Sequence, residues 1–274
     1  MPGMNEQSRF TPDPNRIGLL TSTVLLTLAL ANLAPSQGFN LEVQLPGFLF
    51  ALPLDITTLM NAFTAGLAAT GMDWLLRSHP SLNGRSTFQW WLLPTLTTFV
   101  LSVPLSILPD GPAWWIGFLV SGILLFLVFL AEYVAVDPDA PYYNLSVAGL
   151  TAISHTLFFV LSIALRASQT RLYILLPALF IASALASLRI LHLRIGGKWE
   201  IAWSLGIGLV CAQMAAGLHY WPLSPIQFGL LLIGPLYGLI ELAVNLDENI
   251  PVRRAALEPA IVASLCWGLA IFIR

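Results

Sequence analysis

Six ionisable side chains stand inside or at the ends of long apolar runs: Asp73, Glu132, Arg189, Glu200, Glu241 and Glu258. Charge is costly in hydrocarbon, so each such group needs either a partner or a task. The usual tasks are gripping an ion, relaying a proton or orienting a polar substrate. At about 1.5 Å of helical rise per residue, Asp73 lies about 26 Å into its run, Arg189 about 27 Å and Glu241 about 24 Å. Glu258 is about 6 Å into its run, and Glu132 and Glu200 sit at run ends. Because successive runs alternate in direction, all six fall in one layer near the inner boundary of a core about 30 Å thick.

Two helical stripes lead to that layer. Gly234, Gly238, Glu241, Asn245 and Glu248 follow 4-3-4-3 spacing and share one face. Within that run Gly234-Pro235 frees backbone carbonyls that something must satisfy. Asn144, Ala148, Thr151 and His155 follow 4-3-4 spacing on another helix, with His155 about 18 Å deep. The functional reading is a polar cavity open to the cytoplasm, with Glu241, Asn245, Glu132, His155, Arg189 and Asp73 as its candidate lining. The competing reading is structural. Small residues on one face let membrane helices pack closely, a buried histidine can be satisfied by hydrogen bonding, and Arg189 can neutralise Glu241 or Asp73.

The segment "AEYVAVDPDAPYYN" (131–144) borders this layer, with Glu132, Asp137 and Asp139 and no Lys or Arg. Pro138 and Pro141 stiffen it, and Asp139 or Asn144 is placed to cap the following helix. Arg189, Arg253 and Arg254 are the bases available to answer its acids. It reads as a structural loop at the edge of a cavity.

The elements that position these groups follow from composition. Apolar residues are 57% of the 274 and charged residues only 9%, against about 25% charge in a soluble domain. Nine runs are long enough to cross a bilayer as helices: 17–34, 56–76, 88–108, 112–134, 143–166, 171–194, 199–220, 225–246 and 254–273. The expected fold is an all-α polytopic membrane protein, a bundle of about nine transmembrane helices. Residues 1–16 form a polar N-terminal tail, and 17–274 a single transmembrane domain. Between the first two runs, "LEVQLPGFLFALPLD" (41–55) alternates apolar residues before the turn dipeptide Pro46-Gly47. That pattern predicts a short β-hairpin or extended lid on the outer face.

Orientation follows from Lys and Arg counted by loop. An inward N-terminus puts nine of them inside (Arg9, Arg16, Arg77, Arg85, Arg189, Arg194, Lys198, Arg253, Arg254) and three outside (Arg166, Arg171, Arg274). With nine spans the C-terminus is extracytoplasmic. Tryptophans 74, 90, 91, 114, 115, 199 and 221 fall at run ends, where an interfacial belt is expected. Cys211 and Cys266 lie inside runs without metal-type spacing and read as packing residues.

Several chemistries lack their residues. Carboxylates at the inner ends of nine spans resemble the architecture of intramembrane prenyltransferases, which hold Mg²⁺ and a diphosphate with Asp-rich motifs. The corresponding "GMDWLLRSHPSLNGR" has one Asp and two Arg, and neither "DPD" nor "NLDEN" matches such a motif. There is no H-E-x-x-H, no G-x-S-x-G, no phosphate-binding glycine loop and no Lys within a span. No cofactor is implied, and a net charge of −2 without a basic stripe gives no footprint for nucleic acid. The partners expected are the lipid bilayer and a small-molecule or lipid ligand. Three functions stay open, in this order: binding or transport of that ligand, a non-catalytic structural or assembly subunit, and a membrane enzyme acting on a lipid or prenyl substrate.

The stretch "ATGMDWLLRSHP", with the hairpin-like segment before it, resembles an uncharacterised family of bacterial integral membrane proteins, a domain of unknown function. The resemblance implies a bacterial inner-membrane location and carries no activity and no functional residues.

Overall fold

A computed structural model describes residues 12–33, 38–45, 48–82, 86–109 and 111–273; most of the polar tail therefore lies outside the described residues. The helices are α1 (Pro14–Leu33), α2 (Ile56–Leu76), α3 (Leu92–Ile107), α4 (Pro112–Val134), α5 (Tyr143–Ala167), α6 (Leu172–Arg194), α7 (Ile201–His219), α8 (Pro225–Asp247), α9 (Val252–Ala255) and α10 (Leu257–Phe272). Among the described residues, eight helical segments are long and apolar enough to cross a membrane, which makes this a multi-pass membrane protein. The second expected span is a helix in its expected place, α2, 21 residues long. It is not one of the eight, because Thr57, Thr58, Asn61, Thr64, Thr70 and Asp73 dilute its apolar content.

The chain forms two compact units, Met1–Leu130 and Ala131–Arg274. In the first, α2 packs against both α1 and α3. Gly71 permits the close approach to α1, since a Cβ there would meet Leu20 Cδ1 at 2.0 Å. Two strands, β1 (Gly38–Leu45) and β2 (Phe48–Asp55), precede α2. They pair antiparallel in register from Gly38↔Asp55 to Leu45↔Phe48, the spacing that a two-residue connection imposes. Pro46 and Gly47 themselves lie outside the described residues.

The second unit holds the end of α4 and all of α5 to α10. α6 packs most extensively on α7, and α8 packs on α10 and α5. Helix starts follow local chemistry. Pro225 opens α8 behind Ser224, whose hydroxyl accepts from Gln227 N (3.3 Å) while Gln227 Oε1 accepts from Ser224 N (2.8 Å). The start of α5 differs from expectation. Its N-cap is Tyr142 with no side-chain bond, and neither Asp139 nor Asn144 caps it. Asp137 Oδ1 instead accepts from Asp139 N at 3.0 Å, so that acid builds the turn rather than the helix end.

Hydroxyls buried among apolar neighbours are satisfied within their own helices. Ser154 donates to Leu150 O, Ser162 to Phe158 O and Ser183 to Leu179 O, at 2.7, 2.7 and 2.6 Å. Pro235 poses the reverse problem, a carbonyl without its amide. It sits inside α8 and has no N–H to give Leu231 O four residues earlier. The indole Nε1 of Trp267 on α10 donates to that oxygen at 3.1 Å. The helix therefore continues through the proline with its freed acceptor used.

Candidate functional site

The charges at one end of the second unit are organised by α6. Glu132, in the last turn of α4, is fully buried and faces Arg189, which is 1% exposed. The pair is bidentate: Arg189 Nε donates to Glu132 Oε1 at 3.0 Å and Nη2 donates to Oε2. Five residues further, Arg194 donates from Nη1 to Glu241 Oε1 of α8. Lys198, just beyond α6, donates to Asp247 Oδ1 at 3.2 Å. Three cations from one helix end thus answer acids from α4 and α8. Arg189 pairs with Glu132, one of the acids of 131–144 it was expected to be available to, and not with Glu241 or Asp73.

The expected stripe on α8 divides. Gly234 and Gly238 are contact points for α10: a Cβ on Gly234 would lie 3.2 Å from Ala263 Cα, and one on Gly238 would lie 3.4 Å from Pro259 O. This is the packing use of small residues. Asn245 Nδ2 donates to Ala255 O at 3.1 Å and holds α9 against α8. Glu241 alone on that stripe turns to another charged partner. Asp73 belongs to the first unit, where Arg77 Nε (2.7 Å) and the Thr87 hydroxyl bind its carboxylate.

Of the six expected residues, His155 is the one left incomplete. Its ring is 9% exposed, and Nδ1 lies 2.8 Å from Thr151 O. A carbonyl only accepts, so Nδ1 carries the hydrogen, and in the neutral ring Nε2 is the acceptor. That Nε2 is buried with no hydrogen-bond partner. Tyr237 of α8 brings its ring centroid to 5.7 Å from the imidazole. It stands four residues before Glu241, on the same helix face. Glu241 and Arg194 are the charged groups that act on the imidazole, and Glu241 and Glu258 are the acids that act on the Tyr237 hydroxyl. The arrangement offers one buried, unsatisfied acceptor close to a carboxylate anchored by Arg194.

Of the six expected residues, Glu132 and Arg189 join each other, Glu241 and His155 lie near each other, Asn245 braces α9, and Asp73 belongs to a different unit. Arg194, Lys198 and Tyr237 were not in the expected set. Arg194 and Lys198 had signalled only the inner side of the membrane, and the signal that could have found Tyr237 is its i, i+4 relation to Glu241. Among the described residues no group of three or more His, Cys, Asp or Glu converges as a metal site.

The model of the family described as "Protein of unknown function (DUF5656)" matches residues 36–273. The chain belongs to this DUF5656 family. The match takes in the first compact unit from residue 36 onwards and the second up to residue 273, and with them every residue of the ion-pair network. No curated protein and no solved structure matches the chain.

Proposed function

We propose that this DUF5656 protein binds a small polar molecule or a lipid headgroup between α5, α6 and α8, and holds or carries it at the cytoplasmic side of a bacterial inner membrane. The observation that carries this reading is the unpartnered Nε2 of His155. A buried acceptor left without a donor costs about 1–3 kcal/mol, and a ligand with a hydroxyl or ammonium donor would recover it. Glu241, held by Arg194, would orient the cationic or hydroxylated part of such a ligand, and Tyr237 would wall it.

The topology proposed with it has nine spans, α2 being the ninth. Its packing between α1 and α3 supports this. The N-terminus is then cytoplasmic, the C-terminus extracytoplasmic, and the hairpin lies on the outer face. Single-cysteine labelling from outside should modify Ser168→Cys and spare Asn249→Cys.

The test compares wild type with His155→Phe, which keeps a ring and removes the acceptor. Native mass spectrometry of gently extracted wild type should show a stoichiometric small molecule or distinct lipid. That species should be absent from His155→Phe and reduced in Glu241→Gln. Equal release of heterogeneous bulk lipid from all three would refute the reading. A structural subunit would then be favoured, for which α10, the least buried long helix of its unit, offers an apolar side.

A further inference from the structure

At one end of the second unit Arg189, Arg194 and Lys198 each have an acid as partner; the opposite end differs. Among the described residues, 160–175, 215–230 and 268–273, which make up that end, contain Arg166, Arg171 and His219 and no Asp or Glu. Arg166, in the last turn of α5, is half-buried and held rigidly. Its Nη1 donates to His219 O and its Nη2 to Trp221 O, both at 2.8 Å. Its guanidinium carbon stands 5.6 Å from the centre of the Phe228 ring. These contacts fix its position but supply no negative charge. Two of the five N–H donors of a guanidinium are used, and the rest are available.

Arg166 lines a pocket of about 380 Å³ with Gln169, Thr170, His219, Leu223 and Pro225. His219 contributes a buried Nδ1 with no hydrogen-bond partner. Tyr220 and Trp221, 79% and 60% exposed, follow at once in the chain, as expected of residues at headgroup level. A preorganised arginine without an acid, in a pocket of ligand size with further polar side chains, suits a phosphate oxyanion.

We propose that this pocket binds an ester of glycerol and phosphate that carries net negative charge, with Arg166 as the charged anchor and Thr170 and His219 as polar contacts. An anionic phospholipid headgroup and a soluble glycerol phosphate share that chemistry. The site is independent of His155 and stands or falls separately from it.

The experiment uses the full chain in detergent, delipidated, with native mass spectrometry as the readout. The probes are dioleoyl phosphatidylglycerol, dioleoyl phosphatidylcholine and glycerol 3-phosphate. One phosphatidylglycerol should be retained at least tenfold more tightly than phosphatidylcholine. Gln169→Glu, an exposed substitution that brings an anion to the pocket without touching the core, should weaken retention at least tenfold. Arg166→Lys should also weaken it, and Arg171→Gln, outside the pocket lining, should not. Displacement of the lipid by millimolar glycerol 3-phosphate would assign the site to the soluble source, and its failure to displace would assign it to the lipid. Equal retention of the two lipids, or full retention in Gln169→Glu, would overturn the proposal.

Discussion

Glu132→Gln should be among the most damaging single substitutions in the second unit. It leaves the Arg189 guanidinium, 2% exposed at its side chain, facing a neutral amide in an apolar interior. Two unit charges about 4 Å apart interact by about 4 kcal/mol at an effective dielectric of 20, and removing one member of a buried pair costs about 3–5 kcal/mol. The folding equilibrium should therefore fall by roughly two to four orders of magnitude, at about 1.4 kcal/mol per tenfold. Arg189→Met should cost less, because a lone carboxylate can take up a proton whereas a guanidinium has no accessible neutral form. Reversible unfolding by SDS titration in mixed micelles, followed by circular dichroism, reads both. Glu132→Leu combined with Arg189→Met should recover most of the loss, since the penalty lies in the unpaired charge. Lys198→Ala breaks a pair that is 62% and 37% exposed, and should shift stability by no more than about 0.5 kcal/mol. The reasoning is refuted if Glu132→Gln costs less than about 1 kcal/mol, or if the double variant loses the sum of the two single losses.

Two further outcomes concern α8. Gly234→Ala would place a Cβ 3.2 Å from the Ala263 backbone, where nothing can rotate aside. It should cost about 1–3 kcal/mol in the same titration, whereas Gly206→Ala, with nothing within 4 Å, should be neutral or stabilising. Trp267→Phe removes the donor to Leu231 O and should cost about 0.5–1.5 kcal/mol. Pro235→Ala restores an amide for that carbonyl, so in its background the cost of Trp267→Phe should shrink towards its packing part alone.

Helix positions were largely legible because they are local matters. Pro112 and Pro225 stand at the first residues of α4 and α8, where a missing N–H costs nothing. The need for a partner near Pro235 was legible for the same reason, although its identity was not. The 1.5 Å rise placed acids at one depth, but depth along an axis does not say which helices are neighbours or which way each face turns. Arg189 could therefore be offered several carboxylates, Glu132 among them, without a choice being made. Arg194 escaped notice because a base at a helix end already had an explanation in the inner-side charge bias. The glycine stripe on α8 had two physical meanings, and only the presence of α10 against it decides for packing.

The cations gathered at the end of α6 also bear on biogenesis. Synthesis delivers α4 with Glu132 first, then α6 with Arg189 and Arg194, then α8 with Glu241. Until α6 arrives, Glu132 has no counter-charge, and once α6 has arrived Arg194 still awaits its acid. Insertion of α4 thus leaves an acid that α6 neutralises, and insertion of α6 leaves a base that α8 neutralises, each two helices later in the chain. A chain arrested after α5 would present an unanswered acid, and one arrested after α6 an unanswered base.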